Sequence, residues 1–236
     1  MRRSSLVLKR MGYHLKVMWG GYWIGAIAVL AISAVLAGHA GAFGLAMPER
    51  GAQTAVIAIS MTVFASLVFS AVAAEELEER VMRLLYACPF PALYIFLEKF
   101  AMCLLLLLAG ISLCASAAVM PLPSAADSQE AGIWDAWWPL ARAAVPSSLF
   151  VGAVSAAASL IGRNVLAGLG AGIGYLILEL FMRGKWTGPF YLFQSVWPNE
   201  RTDNDINALL LCSAAAFLFC LAAVLFAKGK QWLANM

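Results

Sequence analysis

The chain has 236 residues, 63% of them hydrophobic and only 12% charged, with 16 Lys and Arg against 13 Asp and Glu for a net charge of +3. A soluble domain carries about twice that charged fraction, and the mean hydropathy of +0.83 comes from apolar runs of about twenty residues, enough to cross a hydrocarbon core of about 30 Å as helices. These figures exclude a water-soluble globular domain, and basic residues that gather at the ends of apolar runs imply no nucleic-acid partner.

The first stretch, "SSLVLKRMGYHLKVMW", sets Val7, Met11, Leu15 and Met18 on one helical face beside Lys9, Arg10 and Lys16. It reads either as an interfacial helix over 1–19 with its basic side chains among anionic head groups, or as a basic topogenic tail. No cleavable signal peptide is expected, because the first apolar run begins only near Gly20 and lacks a processing site of small residues. Six spans follow, near 20–38, 53–74, 97–119, 138–161, 164–182 and 206–227. Each must be a helix, since a lipid-facing backbone has to bond within its own segment.

Lysine and arginine set the expected orientation. With the N-terminus inside, Arg2, Arg3, Lys9, Arg10, Lys16, Arg80, Arg83, Lys99, Arg163, Lys228 and Lys230 are cytoplasmic, against Arg50, Arg142, Arg183, Lys185 and Arg201 outside. Both termini are therefore expected in the cytoplasm. Cys103, Cys114, Cys212 and Cys220 fall in spans and Cys88 on the cytoplasmic side, so neither a disulfide nor a metal site is expected.

Between the second and third spans, "AAEELEERVMRLLYACPFP" packs Glu75, Glu76, Glu78, Glu79 and Arg80 into six positions. As a helix it places Leu77, Val81, Leu84, Leu85 and Cys88 on one face. Glu76–Arg80 and Glu79–Arg83 form i,i+4 pairs in the favourable order, and Pro89 and Pro91 stop the helix. An apolar ridge beside a charged flank, on the cytoplasmic side, has the shape a soluble partner could grip.

The loop "PLPSAADSQEAGIWDAWW" ends in tryptophans, an interfacial belt before the fourth span. Arg142 and Glu179 lie about one turn from the outer ends of the antiparallel fourth and fifth spans, so they either pair or snorkel separately. In the fifth span, Gly168/Gly172 and Gly170/Gly174 make two overlapping GxxxG pairs that let another helix approach closely, within the subunit or across a dimer. The following "RGKWTGPFYLFQSVWPNERTDND" is too short to cross and too apolar for water, and reads as a re-entrant element or an aromatic anchor. Scattered polar points at Thr62, Ser66, Ser70, Ser112 and Ser116 are expected to dot an otherwise apolar cavity, suited to a hydrophobic or amphipathic cargo.

The layout resembles the permease subunits of ABC-type exporters, the small six-helix type 2 kind. The resemblance is carried by Glu78-Glu79-Arg80, Leu84-Leu85, Pro89 and Lys99, with Val81-Met82 standing where that family commonly has Gly-Thr. It implies an all-α integral membrane protein that forms a single transmembrane domain. In order it has an interfacial elbow helix (1–19), spans 1–2 (20–74), a cytoplasmic coupling helix (75–96), spans 3–5 (97–182), an outer re-entrant element (183–205), then span 6 and a cytoplasmic tail (206–236). Residues Glu75, Glu76, Glu78, Glu79, Arg80, Arg83, Leu84, Leu85, Pro89 and Pro91 would couple to a separate cytoplasmic ATPase. That partner would bind ATP and Mg, because no GxxxxGK[ST] motif occurs in this chain. The resemblance further implies a second permease copy, homo- or heterodimeric, membrane lipids as surroundings, export of a lipid, drug or antimicrobial peptide, and residence in the plasma membrane. It implies no catalytic residue and no cofactor on this chain.

Two rival classes are weighed against it. Glu75-Glu76-x-x-x-Arg80 also spells EExxxR, a signature of membrane-embedded CAAX-processing proteases. Such a site needs later histidines, and the two here, His14 and His39, both precede the motif. A secondary transporter calls for acidic residues or broken helices at mid-membrane, where these spans offer only Ser, Thr and Cys. A scaffold without transport would leave the acidic elbow without a purpose.

Overall fold

The computed structural model describes residues 21–38, 49–75, 92–119, 133–197 and 203–234. Among them every long element is a helix and no strand occurs. They are α1 (Gly21–Gly38), α2 (Glu49–Glu75), α3 (Ala92–Val119), α4 (Ile133–Gly162), α5 (Val165–Met182) and α6 (Asn204–Ala234), with a 3-10 turn at Gly188–Phe190 between α5 and α6. Five contain apolar stretches long enough to cross a membrane: Gly51–Ala74, Phe96–Ser116, Trp137–Gly162, Val165–Met182 and Asn204–Ala227. The protein is a multi-pass helical membrane protein. The first expected span, 20–38, corresponds to α1, whose 18 residues rise about 27 Å at about 1.5 Å each. The expected N-terminal interfacial helix (1–19) and most of the coupling elbow, from Glu76 to Pro91, lie outside the described residues, whereas α2 itself runs through Glu75.

Two helices form the centre. α2 and α4 pack along each other, α5 and α6 flank α4, and α1 and α3 flank α2. Burial follows: 61% of the apolar stretch of α2 and 67% of that of α4 lie inside the molecule, but only 22% of that of α5, leaving α5 at the periphery. Without a hydrophobic driving force between helices in lipid, close packing has to come from small side chains and polar contacts. α4 supplies the small ones, with Ala141, Ala143, Ala144, Ala153, Ala156 and Ala157 all buried.

The tightest contact is a seam of serines and glycines where α2, α4 and α5 meet. Ser66 of α2 and Ser155 of α4 share a hydrogen bond of 2.9 Å. Ser70 donates to the carbonyl of Ser66 at 2.5 Å, and Thr62 to that of Ala58 at 2.7 Å, so both hydroxyls are satisfied within their own helix. Gly168 and Gly172 of α5 lie against these residues. A methyl at 168 would stand 2.5 Å from the Ser155 carbonyl oxygen and run into Ser159 and Ser70; one at 172 would run into Ser155 and Ser66. Gly170 and Gly174 face the other way, and a methyl at either would meet nothing within 4 Å. The two GxxxG pairs thus have separate fates, one spent inside the subunit and one left open.

The seam also revises an expectation. Thr62, Ser66 and Ser70 are buried to within 1% in helix packing, so in this arrangement they line no cavity. Small hydroxyls that bond back to their own helix are good packing residues in lipid, and that demand has taken them. Ser112 and Ser116, by contrast, are exposed on α3.

Short turns fix the ends of α5. Asn164 caps its start, its side chain accepting from the Leu166 amide at 3.0 Å. Arg183 closes it in the left-handed region, at φ 46°, with its amide donating to the Glu179 carbonyl at 2.9 Å. Gly168→Ala and Gly172→Ala are expected to lower stability by about 1–3 kcal/mol each, the cost of overpacking, whereas Gly170→Ala and Gly174→Ala leave it unchanged. Thermal melting of the four variants in one detergent checks this, and equal losses at all four positions would contradict the two-faced arrangement.

Candidate functional site

At the end of the bundle where α5 closes and α6 begins, the connecting loop folds against the helices. Tyr191, Leu192, Phe193 and Gln194 are almost fully buried, at 2%, 2%, 0% and 2% exposure. A backbone can enter an apolar interior only if its polar groups find partners, and α6 supplies one. The Nδ2 of Asn207 donates to the carbonyls of Pro189 at 2.6 Å and Tyr191 at 3.0 Å. The Tyr175 hydroxyl donates to the Phe190 carbonyl at 3.2 Å. Gly184, at φ +72°, brings the chain so close to Tyr191 that a methyl would lie 2.9 Å from its ring. Phe150 then packs on Tyr175 and Phe190, with ring centroids 5.4 Å and 6.4 Å away.

Arg142 and Glu179 both belong to this end, but they do not meet. Arg142 pairs with Asp205 in the first turn of α6, because its side of α4 faces α6 rather than α5. Glu179 is fully buried under the loop. Tyr175, Thr187 and the Leu192 amide face its carboxyl group, yet neither oxygen reaches hydrogen-bond geometry with a described residue, and the Thr187 hydroxyl is equally unsatisfied. Burial pushes the Tyr191 phenol up to about 12, with the nearby Glu179 adding to the effect and Arg183 opposing it.

A cavity of about 300 Å³ opens beside this loop, between α4 and α6, with Arg142 and Asp203 in its lining. At the opposite end, the last turns of α2 and the first turns of α3 close on an aromatic cluster. Phe69, Phe100 and Phe219 are in mutual contact, with centroids 4.1–5.7 Å apart, and Phe96 meets Phe226 at 5.7 Å. Lys99, only 7% exposed, lines a small void among these rings.

Several of these partners are invisible in the sequence. Asp205 reads as a polar loop residue, Asn207 as the polar start of the sixth span, and Ser155 and Ser159 as ordinary span serines. One signal for Asn207 was present: an amide side chain at the start of an apolar run, opposite a loop too apolar for water, has carbonyls to serve. Comparison with protein-family models, with curated proteins and with solved structures found no match.

Asn207→Ala leaves two loop carbonyls without their donor and is expected to destabilise the protein by about 1–3 kcal/mol. Amide exchange in the loop should accelerate selectively. Glu179→Gln removes the requirement to bury an unpartnered carboxyl group and should hold or raise the melting temperature. A fall as large as that of Asn207→Ala would mean that Glu179 has a partner essential to the fold.

Proposed function

We propose that this chain is the membrane-spanning permease of an ATP-driven exporter of type 2 ABC architecture, moving a hydrophobic or amphipathic substrate by alternating access. The observation that carries the reading is how the helices on either side of the acidic elbow pack. The glutamate-rich segment from Glu75 to Pro91 is spliced between α2 and α3, and its two flanks are locked together. Val72 and Ala73 on one side and Phe96, Lys99 and Phe100 on the other line the same aromatic cluster. A force applied to the elbow therefore acts on a packed joint reaching α4 and α6 through Ala156, Leu160, Phe219 and Phe226, the kind of rigid coupling a two-state switch requires. ATP and Mg would be held by a separate cytoplasmic subunit docking on Glu76, Glu78, Glu79, Arg80, Arg83, Leu84 and Leu85. Both termini would be cytoplasmic, and the Arg183–Trp197 loop would form a re-entrant element on the outer side.

A second copy of the permease would complete the unit. The open glycine face of α5, Gly170 and Gly174, continues into the exposed Leu166, Ile177 and Phe181, an apolar surface without large residues at its centre. α1 is similarly exposed, at Ile24, Ile27, Ile32 and Val35.

The test is to purify the tagged chain from native membranes in mild detergent and identify its companions. A stoichiometric soluble protein with a Walker A motif is the expected result. Charge reversal at Glu79 and Arg83, or Leu84→Asp with Leu85→Asp, should then detach it while the permease still inserts. A partnerless chain, or an ATPase retained by all these variants, would overturn the assignment and favour a secondary carrier or scaffold.

A further inference from the structure

The cavity beside the loop has polar residues toward its mouth and apolar ones at its floor. Ser195, Asp203 and Asn204 line it beside the start of α6, with Asn207 one turn deeper, and Arg142 reaches it from α4 just past Trp138 and Pro139. One turn deeper on α4 comes Pro146, and two turns deeper on α6 comes Leu211. Trp138, 65% exposed, stands in the same lining. The apolar stretches of α4 and α6 begin at Trp137 and Asn204, which puts the mouth at the level of lipid head groups, where tryptophan is favoured. A volume of about 300 Å³ is at the lower bound for small-molecule sites, room for a head group and not for a whole lipid.

The charges of the mouth say which head group. Arg142 offers a planar fork that suits a phosphate better than a single carboxylate. Its present partner, Asp205, is exchangeable, because both side chains are about half exposed or more, at 47% and 69%, and exposed ion pairs contribute little. A phosphate taking the place of Asp205 would, however, leave two carboxylates, Asp203 and Asp205, beside one guanidinium among the described residues. Among the described residues the Asp203 side chain makes one long contact, its Oδ1 accepting from the Asp205 amide at 3.5 Å. An anionic head group meets net repulsion there. A head group carrying both phosphate and ammonium satisfies all three residues, with the ammonium near the two aspartates and within reach of the Trp138 ring face. Pro146 adds a further acceptor. Having no N–H, it leaves the Arg142 carbonyl without its helical donor.

We infer that the cavity between α4, α6 and the loop is a binding site for a zwitterionic aminophosphate head group, with the phosphate on Arg142 and the ammonium on Asp203 and Asp205. The site is a property of the chain by itself and does not depend on an ATPase partner. Two sources share this chemistry, a membrane phospholipid and a soluble aminophosphate ester.

The experiment is native mass spectrometry of the full chain in detergent, after exchange into phosphatidylethanolamine or phosphatidylglycerol and with phosphoethanolamine as soluble competitor. Phosphatidylethanolamine should be retained about tenfold better than phosphatidylglycerol. Arg142→Gln should abolish that preference, and Asp203→Asn with Asp205→Asn should invert it. Competition by phosphoethanolamine assigns a soluble source; retention of the lipid despite it assigns the membrane. If Arg142→Gln fails to give a monodisperse helical protein, Ser195→Trp fills the mouth from an exposed position and should release the lipid. Equal retention of both lipids by the wild type, or undiminished preference in Arg142→Gln or Ser195→Trp, would overturn the inference.

Discussion

Everything in this structure leans on the close approach of α2, α4 and α5 at the Ser66–Ser155 hydrogen bond and at Gly168 and Gly172. In lipid there is no solvent to drive helices together, so they associate only where backbones can come near and polar side chains can find one another. Here two glycines and four serines meet that requirement in one place. With α5 held there, its end is fixed, and the turn at Arg183 and Gly184 returns the chain over the bundle. The loop can then deliver Tyr191–Gln194 into the interior. The cavity beside Arg142 exists because that loop forms one of its walls. A methyl group at Gly168 would therefore be felt about four turns away, at the end of α5.

This constraint also accounts for the asymmetry of the two ends. One is polar, capped, and carries a half-exposed ion pair next to the cavity. The other is aromatic and close-packed around Lys99, below the segment that a soluble partner would grip. In the proposed exporter the aromatic end would receive force and the capped end would lie on the outer side, where cargo is released. The rigid α2–α4 centre connects them, since packed cores switch between discrete arrangements more readily than they deform.

The helical membrane architecture was legible from composition and run length alone, because hydrocarbon leaves the backbone few alternatives. All six runs became helices: five carry long apolar stretches, and the run at 20–38 became α1. The glycine periodicity of α5 was equally readable, but not which pair would be consumed internally. That depends on Ser155 and Ser159 of the preceding helix, which give no sign in sequence of facing Gly168 and Gly172. The charges at the capped end show the same limit. Arg142 and Glu179 were near each other by helix register, and Asp205 competed from a separate helix whose rotation no periodicity specified. Serines at 66 and 70 and the threonine at 62 looked like cavity lining, because a hydroxyl in an apolar run reads the same whether it faces a cargo or bonds to the preceding turn.

The central claim is that α5 has two glycine faces, one closed inside the subunit and one left open, where the proposed unit would place its second copy. Disulfide cross-linking in native membranes tests it most directly, in a chain whose five cysteines have been replaced and which carries Gly170→Cys or Gly174→Cys. Phe217→Cys on α6, 70% exposed, serves as the collision control. Rapid oxidation to a covalent dimer at 170 and 174, with little at 217, is the predicted result. No dimer at either glycine, or equal cross-linking at 217, would contradict the account.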